Sequence, residues 1–376
     1  LNYPLVLLPV RAALARLDPQ LEEAARGMGR GRLAVLRTVV LPQLMPAAAA
    51  GAMLAALYAL ADFGAVSILR FDSFTREIYL AYGASFDRIG AAALSLALVA
   101  VMAVALIAES GMRSRRSYHR SSPGVQRRAA AVPLGAWRWP AVAFCATVAS
   151  LAFVLPVAVL AYWSLSSLAG TVQWGAIASA SANTLLVATL SALSAAVLAA
   201  PIAWLGARHP GRFARVVEIG GTVGYSLPGI VVALAFVFIG IRAVPDLYQS
   251  LVLVVVAMVV LFLPLAFTAM RAAFLQISPR IEEAARSSGR APMAVAATIV
   301  APLARRGTVA GAALVFLAAA KELPVVLLLS PIGFDTLPAT IWRESTRSFF
   351  EEGAIPALIL LAVSAPPLWF LLGRSE

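Results

Sequence analysis

The chain has one lysine, one cysteine and two histidines among 376 residues. Each scarcity excludes something. Cys145 alone allows no internal disulfide and no thiolate cluster. His119 and His209 lie far apart in sequence, both among arginines, and no metal-ligand spacing occurs anywhere. The lone lysine, Lys321, follows Ala318-Ala319-Ala320, so the glycine-rich G-x-x-x-x-G-K-[ST] loop that cradles ATP is missing. ATP hydrolysis by this chain is excluded on that ground, and two loop histidines supply no nucleophile–His–acid set. Charge is scarce too. Only 13% of residues are charged, against about 25% in an ordinary soluble domain. With 61% apolar residues, both disorder and a typical soluble enzyme are excluded.

What remains is a chain of long apolar stretches. Spans are expected near 43–64, 89–109, 138–163, 181–206, 216–240, 249–270, 307–329 and 353–373, each about the 20 residues a helix needs to cross hydrocarbon. Residues 1–10 are too short to cross and read as the end of a span. Helices are the only option, since lipid satisfies no backbone hydrogen bonds and barrel strands would be short and alternating. The fold class is therefore all-α, a polytopic transmembrane bundle. The run Ala47–Ala50 followed by Gly51 predicts close helix packing through small residues.

Arginine supplies nearly all of the positive charge behind the net +12. Six arginines fall between 11 and 37, seven between 113 and 138, three between 208 and 215, and six between 271 and 306. The alternate loops hold fewer. The alternation runs through every expected span, which places the Arg-rich loops in the cytoplasm. The basic, Pro- and Gly-punctuated stretch 111–137 reads as a cytoplasmic linker; its charge is a topology signal and not a nucleic-acid site.

The chain also repeats itself. Residues 21–30 (LEEAARGMGR) and 281–290 (IEEAARSSGR) share seven of ten positions at an offset of 260. Pro42 matches Pro302, Gly51 matches Gly311 and Asp62 matches Glu322. This predicts two homologous membrane halves of parallel topology, with a transport path at their interface. The expected division is 1–110, the end of a first half; 111–137, the linker; and 138–376, a complete second half of six spans. The second half has helices that the first lacks, so the chain is expected to lack roughly 120 residues before Leu1.

The repeated segment reads E-A-A-x-x-x-G, then an apolar stretch and Pro. Its residues are Glu23, Ala24, Ala25, Gly29 and Pro42, and again Glu283, Ala284, Ala285, Gly289 and Pro302. Asp18-Pro19 and Ser278-Pro279 precede them as a cap and a first-turn proline would. Each copy predicts a short helix with acids in its first turn, a flat alanine surface that another protein can approach, and a glycine turn. A plain amphipathic connector is the competing reading; two near-identical copies on one membrane side weigh against it.

These segments resemble the coupling-loop signature of ATP-binding-cassette importer permeases, in which the loop docks in a groove of the ATPase subunit. The stretches 59–69, 85–94 and 321–337 resemble the fused ferric iron importer permeases. The second copy departs mildly, with Ala301 where the signature usually has Leu. The resemblance implies two type I importer permease halves, the first incomplete at its N-terminus, in the inner membrane. It implies a cytoplasmic cassette ATPase dimer, an extracytoplasmic binding protein and surrounding lipid as partners, with no cofactor, no resident metal, no catalytic residues and no nucleic acid. The cargo it implies is ferric iron. A thiamine or phosphonate importer of the same architecture, and a channel, remain as alternatives.

Asp62, Lys321 and Glu322 are the candidate path residues, because ionisable groups within spans usually mark a path or gate. Pairing of Lys321 with Glu322, or reach to the outer interface, is the competing reading. Asn183, Thr184, Tyr225 and Ser226 read as interhelical hydrogen-bonding groups. Tyr79, Tyr82 and Trp342 read as an interfacial aromatic belt.

Overall fold

The computed structural model describes residues 2–15, 17, 19–114, 134–168, 170, 172–208, 211 and 227–372. Every regular element among them is helical. In chain order these are α1 (Tyr3–Leu14), α2 (Pro19–Gly27), α3 (Arg32–Ala61), α4 (Gly64–Ile68), α5 (Phe74–Gly83), α6 (Arg88–Ser114) and α7 (Gly135–Leu168). There follow α8 (Trp174–Arg208), α9 (Gly229–Arg242), α10 (Leu251–Gln276), α11 (Pro279–Ser287), α12 (Pro292–Ala320), α13 (Pro324–Leu329), α14 (Leu337–Thr346) and α15 (Phe350–Leu372). Seven helices among the described residues are long and apolar enough to cross a membrane: α3, α6, α7, α8, α10, α12 and α15. The all-α, polytopic expectation holds. Most of the linker 111–137, both histidines, Tyr225, Ser226, Asp18 and the first part of the 216–240 span lie outside the described residues.

Two expected spans have different limits. The 307–329 stretch is interrupted: α12 ends at Ala320, and α13 begins at Pro324. Pro324 lacks an N–H, and its ring would collide with the carbonyl four residues back if the helix continued. The 43–64 span likewise ends at Ala61, where Asp62 turns extended with ψ 128°. Both helices begin earlier than expected, because the segments after the repeated motif run into them as helix from Arg32 and Pro292.

Three π-helical turns have a common local cause. They cover Leu36–Val40, Ser150–Val154 and Ala296–Val300, and each ends two residues before a proline: Pro42, Pro156 and Pro302. A proline inside a helix removes one i→i−4 bond and crowds the carbonyl behind it. Widening the preceding turn relieves that crowding. The signature prolines therefore set the shape of the helix that follows each connector.

Contacts divide the chain into two compact units. One comprises residues 1–62 and 93–156, the other 63–92 and 157–376. In the first, α1 packs along α3. The crossing point is Gly51, where an added Cβ would come 2.7 Å from the Val6 Cα. The small-residue expectation for this stretch is met there.

In the second unit, α8, α10 and α12 pack against one another. The reason is written in α8: Ala192, Ala195, Ala196, Ala199 and Ala203 are buried at helical spacing. They let Val259, Ala266, Phe267 and Met270 of α10 approach closely, as helices in lipid require. A second core cluster gathers Phe63, Val187, Met258, Leu323, Val325 and Leu329. The outward surfaces of these helices carry Leu193, Val197, Val252 and Val256, apolar side chains suited to lipid.

Candidate functional site

The repeated motif forms the same local structure twice. Helices α2 and α11 are each nine residues long. Each ends in a left-handed glycine, Gly29 at φ +79° and Gly289 at φ +81°. In the first copy Gly29 N–H donates to the Arg26 carbonyl and Arg30 N–H to the Ala25 carbonyl. In the second, Gly289 donates to Arg286 and Arg290 to Ala285. This paired closure satisfies two end carbonyls and needs positive φ, which only glycine adopts without cost. The turn role expected of both glycines is what the backbone requires.

The helix starts differ in one detail from the sequence reading. Pro279 occupies the first turn as expected, but the Ser278 side chain makes no capping hydrogen bond. Its position alone is that of a cap.

The two helices divide their faces. Glu23, Ala24, Glu283 and Ala284 are exposed. Ala25 is buried, and Ala285 is half-buried and packs against the second unit's core. The sequence reading put both alanines of each copy on the approach surface; Ala25 and Ala285 instead face their own unit. The apolar residues Leu21 and Ile281 point outward, 49% and 43% exposed. That is the reverse of an ordinary amphipathic helix, which would bury them. Pro42 and Pro302 stand exposed in the helices beyond, just after the π turns.

The inward acid of α11 is Glu282, which the sequence reading did not single out. It accepts from Arg208 Nε at 2.7 Å, with side-chain exposures of 8% for Arg208 and 7% for Glu282. Arg208 Nη2 also donates to the Ile277 carbonyl at 2.9 Å. In the first copy, Glu22 pairs with Arg26 one turn along its own helix at 3.3 Å, in a solvated setting.

The candidate path residues stand at helix breaks. Asp62 follows α3 and is half-buried. Lys321 is the exposed C-cap of α12, and Glu322 comes next, before α13. A Cβ on Gly229 at the start of α9 would collide with the Glu322 carboxylate. Oε1 of that carboxylate is buried and accepts no hydrogen bond among the described residues.

Asn183 and Thr184 join α8 to the chain ahead of α14. Asn183 Nδ2 donates to the Asp335 carbonyl at 2.8 Å, and Leu337 N–H donates to Thr184 Oγ1 at 2.8 Å. The interhelical role expected of these two residues is therefore met. The aromatic residues expected to form a belt are half-buried. Tyr79 and Trp342 pack edge to face, ring centroids 5.4 Å apart, with Phe63 5.2 Å from Tyr79. Trp342 Nε1 donates to Ser67 Oγ at 2.8 Å. A partly buried indole N–H commonly finds such a partner. Nearby, burial alone would lower the pKa of Arg343, but ion pairs to Asp335 at 2.7 Å and Glu344 at 3.0 Å hold it above its ordinary value. Among the described residues, no group of three His, Cys, Asp or Glu side chains could hold a metal.

Comparison with known proteins agrees with this architecture. Residues 2–115 and 192–372 match the family described as the binding-protein-dependent transport system inner membrane component. The chain is 32% identical to the Fe(3+)-transport system permease protein FbpB 2 of Haemophilus influenzae, across 98% of this chain and 74% of that one. It is 24% identical to a probable ABC transporter permease protein, y4fN, of Sinorhizobium fredii, across 95% of this chain and 67% of the relative. It is 28% identical to a probable molybdenum ABC transporter permease protein of Haloferax volcanii, across 57% of this chain and 82% of the relative. The chain thus belongs to the binding-protein-dependent transport system inner membrane components, and is a multi-pass permease of the ABC transporter class.

Proposed function

We propose that this permease imports ferric iron handed over by an extracytoplasmic binding protein and is driven by a cassette ATPase docked on α2 and α11. One observation carries the docking assignment. Each copy of the motif leaves an apolar side chain, Leu21 or Ile281, and an acid two residues on, Glu23 or Glu283, exposed on the same short helix. One exposed leucine or isoleucine is ordinary on a surface; its repetition at the same place on two short charged helices is what supports a protein partner there. Glu23 and Glu283, at mid-helix, add a charge for the partner to read. Ala24 and Ala284 keep the same face low.

Two homologous halves are the reading supported by the shared order of elements. The sequence α2, α3, α4, α5, α6 is repeated as α11, α12, α13, α14, α15, with the π turn at the same place in α3 and α12. That order supports reading the chain as 1–110, 111–137 and 138–376, a division by repeat that differs from the two contact units. The chain does no chemistry of its own: it is a conduit, and energy comes from the ATPase. Ferric iron is supported by the relative named for Fe(3+) transport, which matches nearly the whole chain. The relative named for molybdenum matches a shorter stretch, which makes an oxyanion the second reading. Ferric iron favours oxygen ligands, and a conduit must bind it weakly enough to release it.

The test is charge reversal at the docking face. Glu23→Arg and Glu283→Arg, each in the complete transporter, should lower ATPase association and iron uptake. Unchanged association in both would refute the docking assignment.

A further inference from the structure

The neighbouring glutamates of α11 have opposite surroundings. Glu283 is exposed, while Glu282 is buried against Arg208, 74 positions earlier at the end of α8. Arg208 makes two directed bonds there, Nε to Glu282 Oε1 at 2.7 Å and Nη2 to the Ile277 carbonyl at 2.9 Å. It therefore grips both α11 and the residue that ends α10. Arg286 adds a weaker, more exposed contact to the other Glu282 oxygen at 4.0 Å. At its other end α8 holds Asp335 and Leu337 through Asn183 and Thr184.

A buried ion pair is a poor source of stability, because desolvating both charges cancels most of their attraction. An apolar pair of similar size would hold two helices together at least as well. What a planar guanidinium adds is direction: two bonds at fixed angles define how α11 sits on the end of α8. A lysine ammonium does not reproduce that fork.

We propose that Arg208 is a positioning residue for coupling, clamping α11 to α8 through Glu282 so that movement of the ATPase-bound helix is passed to α8. The proposal rests on the docking assignment above. It gives the two glutamates separate tasks, with Glu283 facing the ATPase and Glu282 fixing the helix that carries it.

The test uses the permease assembled with its ATPase in proteoliposomes, with binding protein loaded with ferric iron. The readout is the ratio of ATP turnover with and without that binding protein, alongside uptake of radiolabelled iron. The paired variant R208M/E282L leaves no buried charge and should assemble with native yield and melting temperature. Its stimulation ratio should fall about tenfold, within the range of a lost coupling interaction. R208K, which keeps the charge and loses the fork, should fall between the two. Full stimulation in R208M/E282L, with uptake intact, would overturn the proposal and reduce the pair to packing. If that variant fails to assemble, R208K decides, and native stimulation in R208K overturns the proposal. E283Q separates the underlying assumption: it should weaken ATPase association, and native association there removes the docking assignment and this proposal with it.

Discussion

Gly311 of α12 lies directly against Ala266 of α10, so that an added Cβ would come 3.0 Å from both the Cα and the carbonyl oxygen of Ala266. Gly51 of α3 has the matching relation to Val6 of α1. The two contacts fall at the same 260-residue offset as the docking motif, since 6 pairs with 266 and 51 with 311. Each unit thus contains the same backbone-to-backbone helix crossing, in which a side chain on the glycine would press on the facing backbone.

Gly311→Val should therefore overpack the α10–α12 contact and cost about 1–3 kcal/mol. Because backbone is what it meets, rotamer change offers no relief. Thermal unfolding of the purified permease in detergent should show a lower midpoint for Gly311→Val. A native midpoint would mean that the helices separate without penalty.

Gly289→Ala and Gly29→Ala should act in another way. Nothing lies within 4 Å of either missing Cβ. The cost is then backbone strain alone, about 1–2 kcal/mol for a left-handed residue with a side chain. It should appear locally, as faster amide hydrogen exchange at Arg290 or Arg30, whose N–H groups close the turns. Unchanged exchange would show that the positive φ is not required.

Thr184→Val preserves shape and removes the acceptor of the buried Leu337 N–H. An amide left unpaired in such a place costs about 1–3 kcal/mol. The expected result is a lower unfolding midpoint, with exchange at Leu337 accelerated more than at neighbouring amides. Asn183→Ala should cost less, because it frees a carbonyl that has a second lone pair to satisfy.

Asp62→Asn should reduce iron uptake more than Glu322→Gln. Glu322 has Lys321 beside it in sequence and is packed against Gly229. If these acids attract a cation at the mouth of the path, loss of Asp62 should lower the uptake rate by about tenfold. Uptake is to be measured at constant protein level and constant ATPase association. Native uptake in both variants would assign the acids to structure.

Much of this was legible in the sequence because it is local. Twenty apolar residues in a row, an alanine stripe at helical spacing and a glycine after a charged helix each fix their own neighbourhood. The prolines that set the π turns were also visible, though the widening itself follows from helix geometry. The Arg208–Glu282 pair was not legible. Arg208 is one of many loop arginines and was counted as a topology signal; only the folding together of α8 and α11 gives it a partner. The inward turn of Ala25 and the cluster of Phe63, Tyr79 and Trp342 were hidden for the same reason. Helical periodicity tells which residues share a face, and in a mostly apolar chain it does not tell what that face meets.

The central claim is that this permease couples ATP hydrolysis by a partner to ferric iron import. It is tested most directly in proteoliposomes holding the permease and its ATPase, supplied with iron-loaded binding protein on one side and ATP on the other. The account predicts accumulation of radiolabelled iron only when permease, ATPase, ATP and binding protein are all present, and ATP hydrolysis by the permease alone at background. Accumulation of molybdate, thiamine or a phosphonate in place of iron would contradict the cargo. Iron entry without ATP would contradict the coupling itself.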